Sequence, residues 1–401
     1  MAKGAYGGVS SKARKVKGYV GVSNIARKLK KAYIGDSNGK ARLCWSGYDY
    51  DNVLMIVFSG ASFDGNLRQG NIDNCMSESS YAQIPAPPSP FSGNGSWYTF
   101  FWLNGFYWCI YVEYQSSTNR ALISLAKIPE KNGSAWTVVK NREIILNSIY
   151  NPLGSGYFSV QAWYNRGTDT VHAYFMYGVL QGSYTTCDIE ISGDGNYTVR
   201  SNNYSGWGQV SNGKMFIDDD NRRYFVLNVT NASTYLASST PALGSPTIIQ
   251  SYGYEYAQPR INVAFPNSFG ARFTSTGQSS GYGGSKDVFK YTTMKGTTWY
   301  SSNTYDPILF MFKDYLYYEY NTSLFKGLPQ NYPNQFSNKG YYGILAITET
   351  AMYLQGKYGS GGYNGTLYKS IDGETFTAIA TGMGSKTIRV IESAPNGYFY
   401  W

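Results

Sequence analysis

The sequence predicts an all-β protein, an extended arm followed by a body of repeated four-stranded sheets, and three observations carry that reading. Aromatic residues make up 17% of the 401 residues, with 40 Tyr, 20 Phe and 9 Trp, and such side chains suit the pleated, half-buried surface of a strand. Gly, with 45 residues, and Asn recur between short apolar runs, where their backbone freedom and local hydrogen bonding make turns. Helical periodicity is absent from those runs.

The arm covers residues 1–47. Tyr6, Tyr19 and Tyr33 each open a unit of 13 or 14 residues. Each unit reads Tyr, a small or β-branched residue, Gly, a few turn residues and then Ala-Arg, at Ala13-Arg14, Ala26-Arg27 and Ala41-Arg42. A repeat this short cannot hold a core of its own. Residues 1–45 contain eleven of the 34 Lys and Arg (Lys3, Lys12, Arg14, Lys15, Lys17, Arg27, Lys28, Lys30, Lys31, Lys40 and Arg42) and one of the 25 acids, Asp36. The arm therefore carries +10, and the 23 bases and 24 acids that follow carry −1. A basic arm suggests an acidic partner, whether nucleic acid, an anionic membrane or an acidic protein surface, the alternative being a solvated tail. Nucleic acid ranks last, because a body at −1 has no basic groove to continue the track.

The body, residues 48–401, reads as successive hairpins. "NVLMIVFSG" (52–60) is a buried strand, and "SWYTFFWLNGFYWCIYVEY" (96–114) is two strands joined at Asn104-Gly105, a strong hairpin signal. Others turn at Asn165-Arg166-Gly167, at Asp218 to Asn221, at Lys313-Asp314 and at Thr348-Glu349. Hairpins of a second kind lie between them, at 121–139 and 366–380. Their alternation predicts a four-stranded unit with starts near 50, 96, 155, 208, 258, 306 and 341. That spacing is the signature of a β-propeller, of seven blades or, as the second choice, six. The last segment, "TIRVIESAPNGYFYW" (387–401), is strand-like and completes a blade with the first strand of the body.

One segment resembles a known family. "SIDGETF", with Ser370, Asp372, Gly373, Thr375 and Phe376, is similar to the Asp-box hairpin of sialidase-like propellers, where the box caps a turn between outer strands and is structural. Weaker echoes occur around Asp194-Gly195, Gly133 with Trp136, and Gly296 with Trp299. The arginine-bearing segment of sialidases is not matched. Its nearest counterpart, "PRINV" (259–263), has Pro before Arg260 and Asn262 where Pro belongs.

Catalytic chemistry finds little support. The chain has one His, and His172 shares a strand face with Thr170 and Tyr174, so it reads as a polar-face residue. Glycoside hydrolysis needs only two carboxylates about 5–10 Å apart, and no spacing singles out a pair. "DDDN" (218–221) reads as a tight turn rather than a Ca²⁺ loop, and "GQSSGYGGS" (277–285) lacks the Lys-Ser/Thr of a phosphate-binding loop. Cys44, Cys75, Cys109 and Cys187 lie far apart without a CxxC pair, so neither a zinc site nor a disulfide framework is indicated; Cys109 and Cys187 read as buried thiols. No signal peptide or membrane-length apolar run is found, so the Asn-x-Ser/Thr triplets read as turn composition. No catalytic residue, metal or cofactor is expected.

Binding is better supported. Tyr204 and Trp207, Tyr252, Tyr254 and Tyr256, and Tyr332 in "YPNQFSNKGYY" (332–342) lie in loops of a rigid β scaffold, where ring faces and polar tips suit sugars. The arm repeats resemble short N-terminal modules of bacteriophage virion proteins, Y-[IV]-G-V-x-x-x-A-R-K-[VIL]-K-K, and Tyr19-Val20-Gly21-Val22 with Ala26-Arg27-Lys28-Leu29-Lys30-Lys31 matches best. Tyr33 and Arg42 occupy the corresponding places in the third unit. The resemblance implies a tether that docks on other virion proteins while the propeller projects toward host-surface glycan or neighbouring subunits. A symmetric particle position would favour a homo-oligomer, though no heptad argues one. The competing expectation is a virion-borne glycan hydrolase of sialidase-like fold. A carboxylate pair facing the central channel would favour the hydrolase, and an apolar or blocked channel the structural protein.

Overall fold

The computed structural model describes strands along the whole chain, and most side chains within residues 98–200 and 312–388 together with 54, 67–71 and 83–88. Every regular element among the described residues is a β-strand, and every pairing is antiparallel.

The arm is not extended. β1 (Tyr6–Val9) pairs with β2 (Lys12–Lys15), β3 (Tyr19–Val22) with β4 (Ile25–Lys28), and β5 (Lys31–Gly35) with β6 (Ala41–Ser46), so each repeat folds back on itself as a two-stranded hairpin. The reason is local: each unit has two short runs either side of a turn, and a hairpin satisfies half of each run's backbone groups without a distant partner. None of the six strands joins a sheet of the body. β6 ends at Ser46 and the first body strand starts at Asn52.

The body contains seven larger sheets among the described residues. The first is built from β7 (Asn52–Ser59), β8 (Ser62–Asn71) and β9 (Ala82–Ile84), and the second from β10 (Thr99–Leu103), β11 (Phe106–Gln115), β12 (Arg120–Pro129) and β13 (Thr137–Asn147). The third has β14 (Gln161–Asn165), β15 (Thr170–Leu180), β16 (Ser183–Ile191) and β17 (Tyr197–Asn202). In the fourth, β18 (Gln209–Val210) and β19 (Phe216–Ile217) both pair with β20 (Arg223–Asn228), followed by β21 (Thr234–Ser239) and β22 (Thr247–Ser251). The fifth has β23 (Ala257–Phe265), β24 (Ser268–Ser275), β25 (Lys286–Thr293) and β26 (Trp299–Asn303). The sixth has β27 (Ile308–Phe312), β28 (Tyr315–Tyr320), β29 (Ser323–Gly327) and β30 (Ser337–Gly340), and the seventh β31 (Tyr342–Ile347), β32 (Met352–Lys357), β33 (Tyr363–Ser370) and β34 (Thr377–Ala380).

The chain then returns. β35 (Thr387–Glu392) pairs with β7 through six residues, from Thr387 opposite Phe58 to Glu392 opposite Val53, and becomes the leading strand of the first sheet. The final strand does something the sequence does not announce. β36 (Phe399–Tyr400) leaves that sheet and pairs with β14, adding a fifth strand to the leading edge of the third sheet.

Each sheet touches the next. β35 meets β10, β10 meets β14, β14 meets β19, β20 meets β23, β23 meets β27, β28 and β29 meet β31, and β31 meets β35. The leading strands lie beside one another, and β10 has β35 on one side and β14 on the other. All five residues of β10 are buried for that reason. The main core links the first three sheets through the apolar sides of β11, β12, β15 and β16. Its indoles are also satisfied: Trp108 Nε1 donates to Leu103 O at 3.1 Å and Trp102 Nε1 to Glu130 Oε2 at 2.6 Å. Asn104 (φ 52°) and Gly105 (φ 82°) both adopt the left-handed region that a two-residue primed hairpin turn requires.

Candidate functional site

The Asp-box residues build a turn between β33 and β34. Asp372 Oδ1 accepts from the backbone N–H of Glu374 and of Thr375, both at 2.8 Å, and from the Ser370 hydroxyl at 3.1 Å. Gly373 N donates to Ser370 Oγ at 2.8 Å. The backbone donors of Thr375 and Glu374, then the Ser370 hydroxyl, hold the Asp372 carboxyl well below the usual carboxylate range. Gly373 has φ +74°, and a Cβ there would lie 1.9 Å from the Tyr317 hydroxyl, which donates to Gly373 O at 3.2 Å. Glu374 pairs with both Lys326 and Lys339. Lys313 donates to Ile371 O, and the Phe376 ring lies 4.8 Å from that of Tyr342. Ser370 and Asp372 thus shape the turn and Phe376 packs it on Tyr342 of its own sheet, while Ile371, Gly373 and Glu374 join the seventh sheet to the sixth.

The weak echo at 191–199 makes the same device. Ser192 Oγ donates to Asp194 Oδ1 at 2.5 Å, Asn196 N donates to the same oxygen at 3.1 Å, and Gly195 has φ +88°. A Cβ on Gly193 would meet Asn104, and one on Gly195 would meet Val139 and Trp108. The spacing agrees residue for residue: Gly193 and Gly195 meet Asn104 and Trp108 as Ile371 and Gly373 meet Lys313 and Tyr317. In the second sheet the corresponding turn rests on Gln69, which donates to Pro129 O at 2.5 Å and accepts from Gly133 N at 3.1 Å, while Trp136 Nε1 donates to Pro85 O at 2.8 Å. These carboxylates are committed to backbone donors, and the turns join sheets.

The one histidine is partnered through Nδ1, while its buried Nε2 has no hydrogen-bond partner among the described residues. His172 is fully buried on the polar side of the third sheet, with Nδ1 3.1 Å from Asp188 Oδ1. Asp188 is 1% exposed. Arg200 lies 3.9 Å from Asp188 and 2.5 Å from Glu190, and Tyr174 donates to Gln161 Oε1 at 3.0 Å. Pairing across β14 to β17 puts these groups in adjacent rows, a polar face of the sheet on which His172 and Asp188 are buried. Among the described residues no group of three or more His, Cys, Asp or Glu could hold a metal ion. Cys109 and Cys187 are buried free thiols, and burial pushes both thiols well up.

The opposite end of the last two sheets is open and aromatic. Tyr341 is 52% exposed and Tyr358 57%. Both are held by backbone: Lys357 N donates to Tyr341 O at 2.9 Å, Tyr358 N to Gly362 O at 2.7 Å, and Gly361 N to Tyr358 O at 2.9 Å. Gly359 leaves room for the Tyr341 ring, which a Cβ would touch at 3.4 Å, and a Cβ on Gly361 would lie 3.6 Å from Thr322 Cγ2. Thr322 has φ 106°, a strained setting for a β-branched residue. Beneath the rings, Lys357 pairs with Glu319 and lies over the Tyr363 ring at 5.2 Å. Tyr341 and Tyr358 thus present exposed rings beside a glycine-rich turn, and such rings can stack on one face of a sugar, whereas the Lys357–Glu319 pair is largely buried.

Of the loop residues expected to bind, Tyr204 and Trp207 fall between β17 and β18, and Tyr252, Tyr254 and Tyr256 between β22 and β23; Tyr332 falls between β29 and β30. All six lie outside the described residues, as do residues 218–221 and 277–285. Of the arm residues, Tyr19, Arg27, Lys28, Lys31, Tyr33 and Arg42 are in hairpin strands, and Lys30 is outside the description. Tyr341 lay within a loop the sequence pointed to. Tyr358 did not, although "KYGSGGYNG" places a tyrosine in a glycine-rich turn directly after a strand.

No family model matches the chain, and no curated protein matches it. Solved structures do. A polysaccharide lyase, Uly1, aligns with a TM-score of 0.49 at 10% identity, covering 86% of this chain and 88% of that one. A 6-phosphogluconolactonase homologue from Bacteroides uniformis, described as putative, aligns with a TM-score of 0.44 at 11% identity over 85% of this chain and 100% of the other. An oligogalacturonate lyase from Vibrio parahaemolyticus aligns with a TM-score of 0.38 at 8% identity over 71% and 84%. What all these observations establish of the chain itself is its class, an all-β protein of consecutive antiparallel sheets.

Proposed function

We propose that this chain is a non-enzymatic structural protein of a bacteriophage particle, with a basic arm of three hairpins as its anchor and a seven-bladed β-propeller as its displayed body. The propeller reading is supported by seven sheets in chain order, each touching the next and the seventh touching the first, with β35 closing the first sheet. The structural role is carried by one observation above the others: the chain's own last strand, β36, sits on the leading edge of the third sheet and touches β10. In a propeller the leading strands surround the axis, so the channel where a hydrolase would hold its carboxylates is entered by the C-terminal segment. Three of the described acids have structural partners, since Asp194 and Asp372 close turns and Asp188 is buried against His172. The surface at Tyr341 and Tyr358 is the face we assign to host glycan.

The test compares the full chain with one lacking residues 1–47, each incubated with purified particles of the encoding phage and with host cells. The proposal expects only the full chain to join particles, both to bind cells, and neither to release sugar from the cell envelope. Particle binding without the arm, or release of sugar, overturns it.

A further inference from the structure

The three arm hairpins share one register. Tyr6 stands opposite Lys15, Gly7 opposite Arg14 and Gly8 opposite Ala13. In the second, Tyr19 stands opposite Lys28, Val20 opposite Arg27 and Gly21 opposite Ala26. In the third, Tyr33 stands opposite Leu43, Ile34 opposite Arg42 and Gly35 opposite Ala41. The match survives a change of loop: residues 10–11 and 23–24 separate the strands of the first two, and residues 36–40 those of the third. A one-residue slip would move every side chain to the other face, so retained register keeps the same residue types on the same face. Arg14, Arg27 and Arg42 share a face with the residue after each tyrosine, and each tyrosine shares the other with the Gly–Ala pair. None of the six strands contains an acid.

We infer that the hairpins are three equivalent docking modules, and that the arm binds trivalently to a protein surface repeating one acidic site. This rests on the anchoring role proposed above and deepens it. Four observations lead there. A lone two-stranded hairpin is at best marginally stable in water, so each module gains order from a partner. Each keeps strand edges unpaired by any body sheet, which a partner's strand can extend. The charge is all of one sign in the strands, which selects an acidic surface. Threefold repetition of one register is of no use to a single unique site, but on a symmetric particle it turns weak contacts into a strong one by raising effective concentration.

The experiment uses the full chain and purified particles depleted of it. Arg14→Gln, Arg27→Gln and Arg42→Gln are compared singly, in pairs and together, beside a chain in which residues 6–15 are replaced by the sequence of 19–28. Singles are expected to lose binding by similar factors of about tenfold, pairs by about a hundredfold, and the triple variant to approach the chain without residues 1–47. The exchanged chain is expected to bind as well as the original. If one arginine carries the whole loss, or if the exchange abolishes binding, the modules are not equivalent and the inference fails while the anchor stands. If deletion of 1–47 changes nothing, the anchoring role itself fails. Binding to random duplex DNA that exceeds binding to particles, and that falls steeply between 50 and 200 mM salt, would overturn the protein partner in favour of nucleic acid.

Discussion

Replacing Gly373 by alanine tests how the seventh sheet is held to the sixth. An L-residue at φ +74° costs about 1–2 kcal/mol in backbone strain. The new Cβ would stand 1.9 Å from the Tyr317 hydroxyl and 3.0 Å from its Cζ. Tyr317 is fully buried and cannot swing into solvent, so forcing it aside costs about 1–3 kcal/mol of overpacking. Its hydrogen bond to Gly373 O at 3.2 Å is then lost, for about 1 kcal/mol. The total is about 3–6 kcal/mol, a large share of a domain's usual margin. Tyr317→Phe alone loses only the hydroxyl, about 1 kcal/mol. In that background the nearest atom to the new Cβ is a ring carbon at 3.0 Å, and most of the clash disappears. The double variant should therefore be about 2 kcal/mol more stable than the sum of the single changes predicts. Urea unfolding followed by tryptophan fluorescence and far-ultraviolet circular dichroism reads all four corners of the cycle. Additivity within about 0.5 kcal/mol would refute the contact, and with it the docking of this turn on the neighbouring sheet.

Gly195→Ala should destabilise in the same manner, because its Cβ would come 2.5 Å from Val139 Cγ1 at φ +88°, and adding Val139→Ala should recover part of the loss in the same unfolding assay. The Asp372 carboxyl is depressed by the Thr375 and Glu374 backbone donors, so its contribution to stability is complete above the ordinary carboxylate pKa of about 4 and fades as pH falls below it. Asp372→Asn should therefore flatten the acid limb of a stability–pH profile, and an unchanged limb would contradict the hydrogen bonding described. Tyr341→Ala with Tyr358→Ala removes two largely exposed rings, so unfolding should shift by no more than about 0.5 kcal/mol while binding to host cells drops at least tenfold. Retained cell binding would remove this end of the body from consideration as the contact surface.

What the sequence determined is local. Asn104-Gly105 specified its hairpin because few dipeptides accept φ > 0 twice in succession, and both residues do. The sheets begin at Asn52, Thr99, Gln161, Gln209, Ala257, Ile308 and Tyr342, near the starts that turn residues and apolar runs suggested, since strand alternation and turn chemistry act over a few residues. Ser370-Ile371-Asp372-Gly373 was legible for the same reason: its bonds are made within the motif. The likeness of Asp194-Gly195 to that box was legible only as a weak echo, because the rest of the match consists in what Gly193 and Gly195 touch on the preceding sheet.

Only the tertiary structure decided which sheet covers which face. Alternation put His172 on a polar face, but its complete burial beside Asp188 depends on packing against a neighbouring sheet, about which the pattern in 170–175 carries no information. The same holds for the C-terminus. "TIRVIESAPNGYFYW" reads as one strand-like segment, yet it divides, with Thr387–Glu392 on β7 and Phe399–Tyr400 on β14. Edge pairing is made by backbone groups that every residue shares, so the choice of edge is settled by where the folded chain delivers the segment and not by its side chains.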